Sequence, residues 1–342
     1  MAMRLKELAQ QLGLSQTTVS RALNGYPEVS EATRVRVNEA AGRLGYRPNA
    51  NAIRLATGRV GAIGVALPLE RNLHFGPHIS AFLSGIGERL AQDEVDIVVT
   101  PINAEDELPV YRRLASSKRV DAVILSAPTP NDARIKLLTD LGMPFILHGR
   151  ADVDTPHAWL DIDNEGAFRR ATSHLLDLGH RRIGMINGPI DQNFAIHREK
   201  GFREALLARG IAPDPRLIAA GRFTDEVGFR HAQTFLAQSP APTAIIAGSM
   251  TTALGVFRAI RTAGLTLGRD VSMIAHDDVF PYLNADNMVP SMSTTRSSIR
   301  AAGFRVADLM QQMLAGKPAD SVHELWPVEL VLRESSGPPP GT

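Results

Sequence analysis

The sequence predicts a small all-α helix-turn-helix head followed by an α/β body of two doubly wound parallel-sheet subdomains. Three observations carry this. Residues 1–46 hold three short amphipathic stretches separated by turns that contain Gly and Pro. From Val60 onward, apolar runs alternate with amphipathic stretches, the texture of buried parallel strands and their crossover helices. That alternation comes as two series, which implies two sheets with a cleft between them. At 342 residues the chain has room for all of this with ample core.

The first element is "RLKELAQQLG", with Leu5, Leu8, Ala9 and Leu12 on one helical stripe and Gly13 as its stop. Ser15 is a good N-cap for a second helix running to about Asn24. Turn chemistry follows in "NGYP", and Ser30 then caps a third helix through about Leu44, closed by Gly45. Two short helices joined by a tight Gly-containing turn describe a helix-turn-helix. On a wheel of about 100° per residue, with Gln16 at zero, Thr17, Ser20 and Arg21 fall at about 100°, 40° and 140°. Val19, Ala22 and Leu23 fall on the opposite arc, at about 300°, 240° and 340°. Donors therefore separate from core residues. Gln pairs bidentately with adenine, Arg with guanine, and Thr meets a polar base edge or the thymine methyl.

Charge points the same way. Residues 1–59 hold nine Lys/Arg and four acidic residues, a balance of +5, which leaves −4 on the remainder of a chain of net charge +1. A basic head on a mildly acidic body suggests that the head meets a polyanion. After Pro48, Asn49 can cap a short helix, "ANAIRLAT", that Gly58 ends. Eight residues are too few for an isolated helix in water, so this segment is expected to fold only against something. Leu55, flanked by Ala52 and Ala56, suits an apolar wedge entering base steps from the minor groove.

The ordered elements "TVSRALN", "VS…TR.RV", "LGYRPN" and the Leu55 segment together resemble the head and hinge of the lactose-repressor (LacI/GalR) family. The resemblance implies that Gln16, Thr17 and Arg21 read bases in the major groove, within a set that also includes Ser15, Ser20 and Asn24. It implies that Leu55 intercalates while Ala52 and Ala56 line the minor groove. The expected organisation is a DNA-binding domain at 1–46, a hinge at 47–59, a core at 60–335 and a disordered tail at 336–342.

In the body, "GAIGVALP", "VDIVVTP", "DAVILSAP" and "PFILHG" read as strands, with helices at 78–92 and 134–142. A second βα series runs from "RIGMINGP" (182–189) to "VSMIAHDD" (271–278). Ligands in such sheets bind beyond the carboxyl ends of the strands, which singles out Pro68–Phe75, Ser126, His148, Phe223, Ser249 and Asp277. The run from Asp163 to Pro189 resembles a hallmark of the same family, whose core has the type I periplasmic-binding-protein fold. By that resemblance Arg198 and Asp277 are the pocket's charged pair, Phe223 stacks on the effector, and Asp163 joins the site. The expected division gives the first subdomain 60–161 plus 291–324, and the second 162–290 plus 325–335. The chain departs from the family in carrying Ser249-Met250 where Asn-Asp is usual, and Ala275-His276 where many members have Gly-Tyr. His148 and Arg150 could supply the missing donors.

The expected function is a ligand-controlled regulator that binds a palindromic operator in double-stranded DNA as a homodimer and represses carbohydrate uptake or catabolism genes. A sugar or glycoside is the expected effector, with a nucleoside or purine corepressor as the alternative. A transport binding protein would need an export signal, and no early apolar run resembles one. An enzyme is disfavoured, because the body lacks a Gly-rich phosphate loop, metal-spaced histidines and a nucleophile elbow. With no cysteine, disulfides and thiolate metal sites are excluded, and no cofactor or metal is expected. No stretch approaches 18 apolar residues, so a cytoplasmic protein with no membrane partner is expected. The end "ESSGPPPGT" lacks leucine heptads, which favours a dimer over a tetramer.

Overall fold

The computed structural model describes Met3 and residues 5–23, 26–46, 59–68, 76–102 and 107–341. Two compact units meet at Gly61–Ala62. The first holds α1 (Leu5–Leu12), α2 (Gln16–Leu23) and α3 (Glu31–Arg43). Leu8, Ala9, Leu12, Val19, Ala22, Val37, Ala40 and Ala41 form its core. Gly13 takes φ +65° past the end of α1, a left-handed conformation that glycine adopts without a Cβ penalty. Arg36 of α3 donates to the Leu12 carbonyl and so ties the third helix to that turn. Ser30 accepts from the Thr33 N–H as the α3 N-cap.

The body begins with β1 (Ala62–Pro68), α4 (Pro77–Leu90), β2 (Asp96–Ile102), α5 (Leu108–Ser116) and β3 (Ala122–Ser126). Next come α6 (Ala133–Asp140), β4 (Phe145–His148) and β5 (Ala158–Ile162). The second series runs α7 (Asn164–Asp177), β6 (Ile183–Asn187), α8 (Asn193–Leu207), β7 (Ile218–Ala220) and α9 (Asp225–Leu236). It continues through β8 (Ala244–Ala247), α10 (Met250–Thr262), β9 (Ser272–Asp277) and β10 (Ser293–Arg296). The chain closes with α11 (Ile299–Leu314), β11 (His323–Trp326) and β12 (Glu329–Val331). The sheet orders are β11-β5-β4-β3-β1-β2 and β12-β10-β9-β8-β6-β7. Only β12, against β10, runs antiparallel among the described strands.

Each sheet is buried by helices on its faces. Ile63, Val65, Ile124 and Ile146 pack with Phe82, Ile86 and Leu90 of α4 and with Val306, Leu309 and Met310 of α11. The α4–α11 contact depends on missing side chains. A Cβ built at Gly85 would stand 1.9 Å from the Arg300 carbonyl oxygen, and one at Gly303 would stand 2.2 Å from that of Phe82. Because both neighbours are backbone, Gly85→Ala is expected to destabilise the body by about 1–3 kcal/mol through forced separation of the helices. A denaturant midpoint equal to that of the wild type would contradict this.

Two boundaries differ from expectation. The division placed residue 291 onward in the first subdomain, but β10 pairs with β9 in the second sheet, so the crossing falls at Ser297–Ser298. Similarly Leu325 and Trp326 belong to β11 in the first sheet, and the chain returns only at 327–328. Backbone pairing decides both, and "STTR" and "HELW" carry too little apolar pattern to announce it. The expected disordered tail is docked over its first residues. Ser336 Oγ lies 2.7 Å from Ser293 Oγ, and just before it the fully buried Ser335 exchanges hydrogen bonds with Met273 and accepts from the Ser293 N–H. The Gly337 N–H donates to Ser272 Oγ at 3.0 Å, and its carbonyl lies 2.8 Å from His180 Nε2.

Candidate DNA-reading helix and interlobe effector site

In the head, Ser15 Oγ accepts from the Thr18 N–H at 3.0 Å and caps α2. Val19 and Ala22 are buried, Ser20 is half-buried, and Gln16, Thr17 and Arg21 are exposed together on the opposite arc. The α2 face therefore offers an amide, a hydroxyl and a guanidinium to a partner. Asn24, Ala52, Leu55 and Ala56 lie outside the described residues, as does Phe75.

In the body, Arg198 on α8 gathers contacts from several elements. It is 4% exposed, and its Nε donates to Asn164 Oδ1 at 2.7 Å while an Nη donates to the Gly248 carbonyl at 2.9 Å. Its guanidinium lies 4.9 Å from the ring centres of both Phe168 and Phe194, and 6.0 Å from that of Phe223. Burial pulls its pKa down to about 10, so it stays cationic at neutral pH. Asn164 in turn donates to Asp161 at 3.3 Å, and Asp161 accepts from Arg150 at 2.8 Å. This chain of contacts joins β5, α7, α8 and the end of β8.

Side chains also meet from opposite walls. His78, in the first turn of α4, reaches Asp278 Oδ2 with its Nε2 at 2.8 Å. Its ring lies 5.2 Å from Phe223 and edge-on to Phe280 at 4.9 Å. The Asn193 amide donates to the Arg150 carbonyl at 2.6 Å, and its backbone N–H donates to the Pro128 carbonyl at 3.0 Å. Phe223 is set by Thr251, whose Oγ1 donates to its carbonyl at 3.0 Å. The bare backbones of Gly188 and Gly248 leave room for its ring. His148, at the end of β4, stacks on Phe82 at 4.6 Å, and burial lowers its pKa. Ser126 ends β3 beside it, in register with His148.

Burial pushes the Asp278 carboxyl up, but His78, His276 and Arg198 outweigh that and hold it below the usual carboxylate range. His276 is fully buried between Thr295 Oγ1 at 2.9 Å and Ser297 Oγ at 3.2 Å. Desolvation, aided by Arg198, drives its pKa far down and keeps it neutral. A histidine whose folded pKa lies below its unfolded value binds its proton first in the unfolded state. His276 therefore contributes stability that is complete above about pH 6.5 and is lost as pH falls from there, at up to about 1.4 kcal/mol per pH unit. His276→Asn, which keeps a hydrogen-bonding group without the titration, is expected to flatten the dependence of Tm on pH between 6.5 and 4.5. An unchanged slope would contradict the assignment.

Three site expectations need correction. Arg198 and Asp277 were expected to pair, but Asp277 Oδ1 accepts from the Val279 N–H at 2.8 Å and its other oxygen lies 3.8 Å from Arg296. Asp278, with Asp161, acts electrostatically on Arg198, while Asp277 does not, because successive residues at a strand end point to opposite sides. Ser249 is spent as the α10 cap, accepting from the Thr252 N–H at 3.1 Å. Asp163 likewise caps α7, accepting from Gly166 at 2.8 Å and pairing with Arg170. Sequence reasoning missed Asp161, Asn164, His78 and Asp278. Arg150, considered as an extra donor, instead holds Asp161 and covers the Trp159 ring at 5.6 Å.

Residues 4–49 match "Bacterial regulatory proteins, lacI family", and residues 172–336 match "Periplasmic binding protein-like domain". Over 342 residues it is 45% identical to the HTH-type transcriptional regulator AglR of Rhizobium meliloti (strain 1021), spanning 99% of this chain and 96% of that protein. The chain belongs to the LacI family. It is also 32% identical to the regulator RafR of Escherichia coli, over 95% of this chain and 96% of that one. Among solved structures, a CelR–cellobiose complex aligns with a TM-score of 0.72 at 30% identity, over 97% of this chain and 99% of that chain. A lac repressor dimer bound to operator and an anti-inducer aligns at 0.79 and 28% identity, over 98% and 100%. As a LacI-family member this chain is a DNA-binding transcriptional regulator and not an enzyme. No helix among its described residues is long and apolar enough to cross a membrane.

Proposed function

We propose that this regulator is a homodimeric repressor of carbohydrate genes whose effector, a sugar or glycoside, binds between the two lobes of the body. One observation carries the reading: a buried cation (Arg198) lies against the rings of Phe194 and Phe223 and feels the carboxylate of Asp278, which His78 reaches from the other lobe. Paired hydroxyls need a strong donor and a strong acceptor, and the C–H face of a pyranose needs a flat apolar surface. The family supports it, since CelR holds cellobiose and a lac repressor dimer is seen on its operator.

The α2 residues Gln16, Thr17 and Arg21 would read bases, with Ser15, Ser20 and Asn24 beside them, and Leu55 would open a base step with Ala52 and Ala56 close to the minor groove. Ser126, His148 and Phe75 would line the first-lobe wall of the effector site. Dimerisation is supported by the family, since a lac repressor dimer is among the structures that align with this chain. A two-fold dimer requires inverted half-sites in its operator. A thermal-shift screen of the full chain against sugars, glycosides and nucleosides tests the effector class. Stabilisation by nucleosides alone would replace the sugar reading with a nucleoside one.

A further inference from the structure

The first lobe carries a basic cluster at the edge where the chain enters it from the head. Arg112 and Arg113 lie on α5, and Lys118 and Arg119 lie in the turn from α5 to β3; all four are exposed. None of them makes an ion pair or side-chain hydrogen bond to another described residue. Several other bases on this lobe are matched: Arg89 with Asp93 and Asp308, Lys136 with Asp140, Arg305 with Glu324.

The nearby acids do not neutralise the cluster. Glu107 faces Arg134 at 3.4 Å, and Asp121 accepts from the Ala62 N–H at 3.3 Å. Glu94 and Asp96 stand at the start of β2, which β1 separates from β3 in the sheet. The Ala62–Asp121 contact also fixes the position of the cluster. Ala62 is the first residue of β1 and Arg119 lies two residues before Asp121, so Lys118 and Arg119 stand near the amino-terminal edge of the sheet, with Arg112 and Arg113 on the helix that leads into it.

We propose that this edge of the first lobe is an auxiliary, sequence-independent surface for the phosphodiester backbone of DNA, engaging duplex that flanks the site read by the head. The proposal rests on the DNA-binding reading of the head. Unpaired Arg and Lys side chains at a fixed place suit phosphate oxygens, and such contacts add affinity and salt dependence without adding sequence information.

The test uses the full-length protein and a random-sequence duplex of about 40 base pairs, titrated by fluorescence anisotropy over a series of KCl concentrations. A variant with Arg112→Gln, Arg113→Gln, Lys118→Gln and Arg119→Gln is compared with one losing the same charge from the second lobe, through Gln at Arg181, Arg230, Arg261 and Arg269. Each lost phosphate contact lowers the slope of log K against log[salt] by about 0.9. The first variant is expected to lose about 2 or more of that slope and at least tenfold in affinity at low salt, with an unchanged melting temperature, while the second keeps a near-wild-type slope. Equal losses in both variants would reduce the effect to net charge and overturn the proposal. A wild-type slope and affinity in the first variant would overturn it as well, leaving the head's role intact. A wild-type protein that bound no duplex would instead remove the DNA-binding reading beneath it.

Discussion

Asp278→Asn is expected to weaken effector binding at least tenfold, whereas Asp277→Asn should leave it within about twofold. The neutral amide loses a charge-assisted hydrogen bond to the ligand, worth about 1.5–3 kcal/mol, and about 1.4 kcal/mol corresponds to a factor of ten. It also removes an anion that acts on Arg198, the buried cation at the centre of the site. Asp277 is occupied by the Val279 N–H and lies on the Arg296 side. Calorimetry on the two variants with a ligand from the screen separates them, and the reverse order of losses would return the pocket role to Asp277.

Arg21→Ala should cost about 1–3 kcal/mol of specific operator binding and relax selectivity at one position in each half-site, as expected for a side chain that reads a base edge. Arg21 is exposed on the α2 face opposite Val19 and Ala22, so the substitution leaves the head core intact. Footprinting over a panel of operator variants measures this. Equal weakening on specific and random DNA would make Arg21 a phosphate contact instead.

The head was the most legible part, because helix periodicity alone sorted Val19 and Ala22 from Gln16, Thr17 and Arg21. Central strands were legible for a related reason: runs such as "AIGVALP" and "AVILS" are buried on both faces and so read as unbroken apolar stretches. Peripheral strands were not. β11 and β12 are three to four residues long with partly exposed side chains, so backbone pairing places them and apolar pattern does not. Within the site, the structure brings Arg198 to 6.0 Å from the Phe223 ring, and the expected Arg198–Asp277 pair does not form. Choosing between Asp277 and Asp278 needed the side on which each residue leaves the strand end. Ser249 and Asp163 each stand directly before a helix, where a hydroxyl or carboxylate satisfies the first turn's free N–H groups. That local signal was available and was outweighed by position at a strand end.

A ligand held at Arg198 and Asp278 is expected to change the affinity of the head for DNA. Linkage limits such an effect to the ligand's differential affinity for the two states. The most direct measurement is operator binding titrated with effector, for the wild type and for Asp278→Asn. Operator affinity without ligand is expected to be equal in the two proteins, with a response midpoint at least tenfold higher in the variant and a similar final response at saturation. Loss of operator affinity in the ligand-free variant, with its effector affinity unchanged, would contradict it.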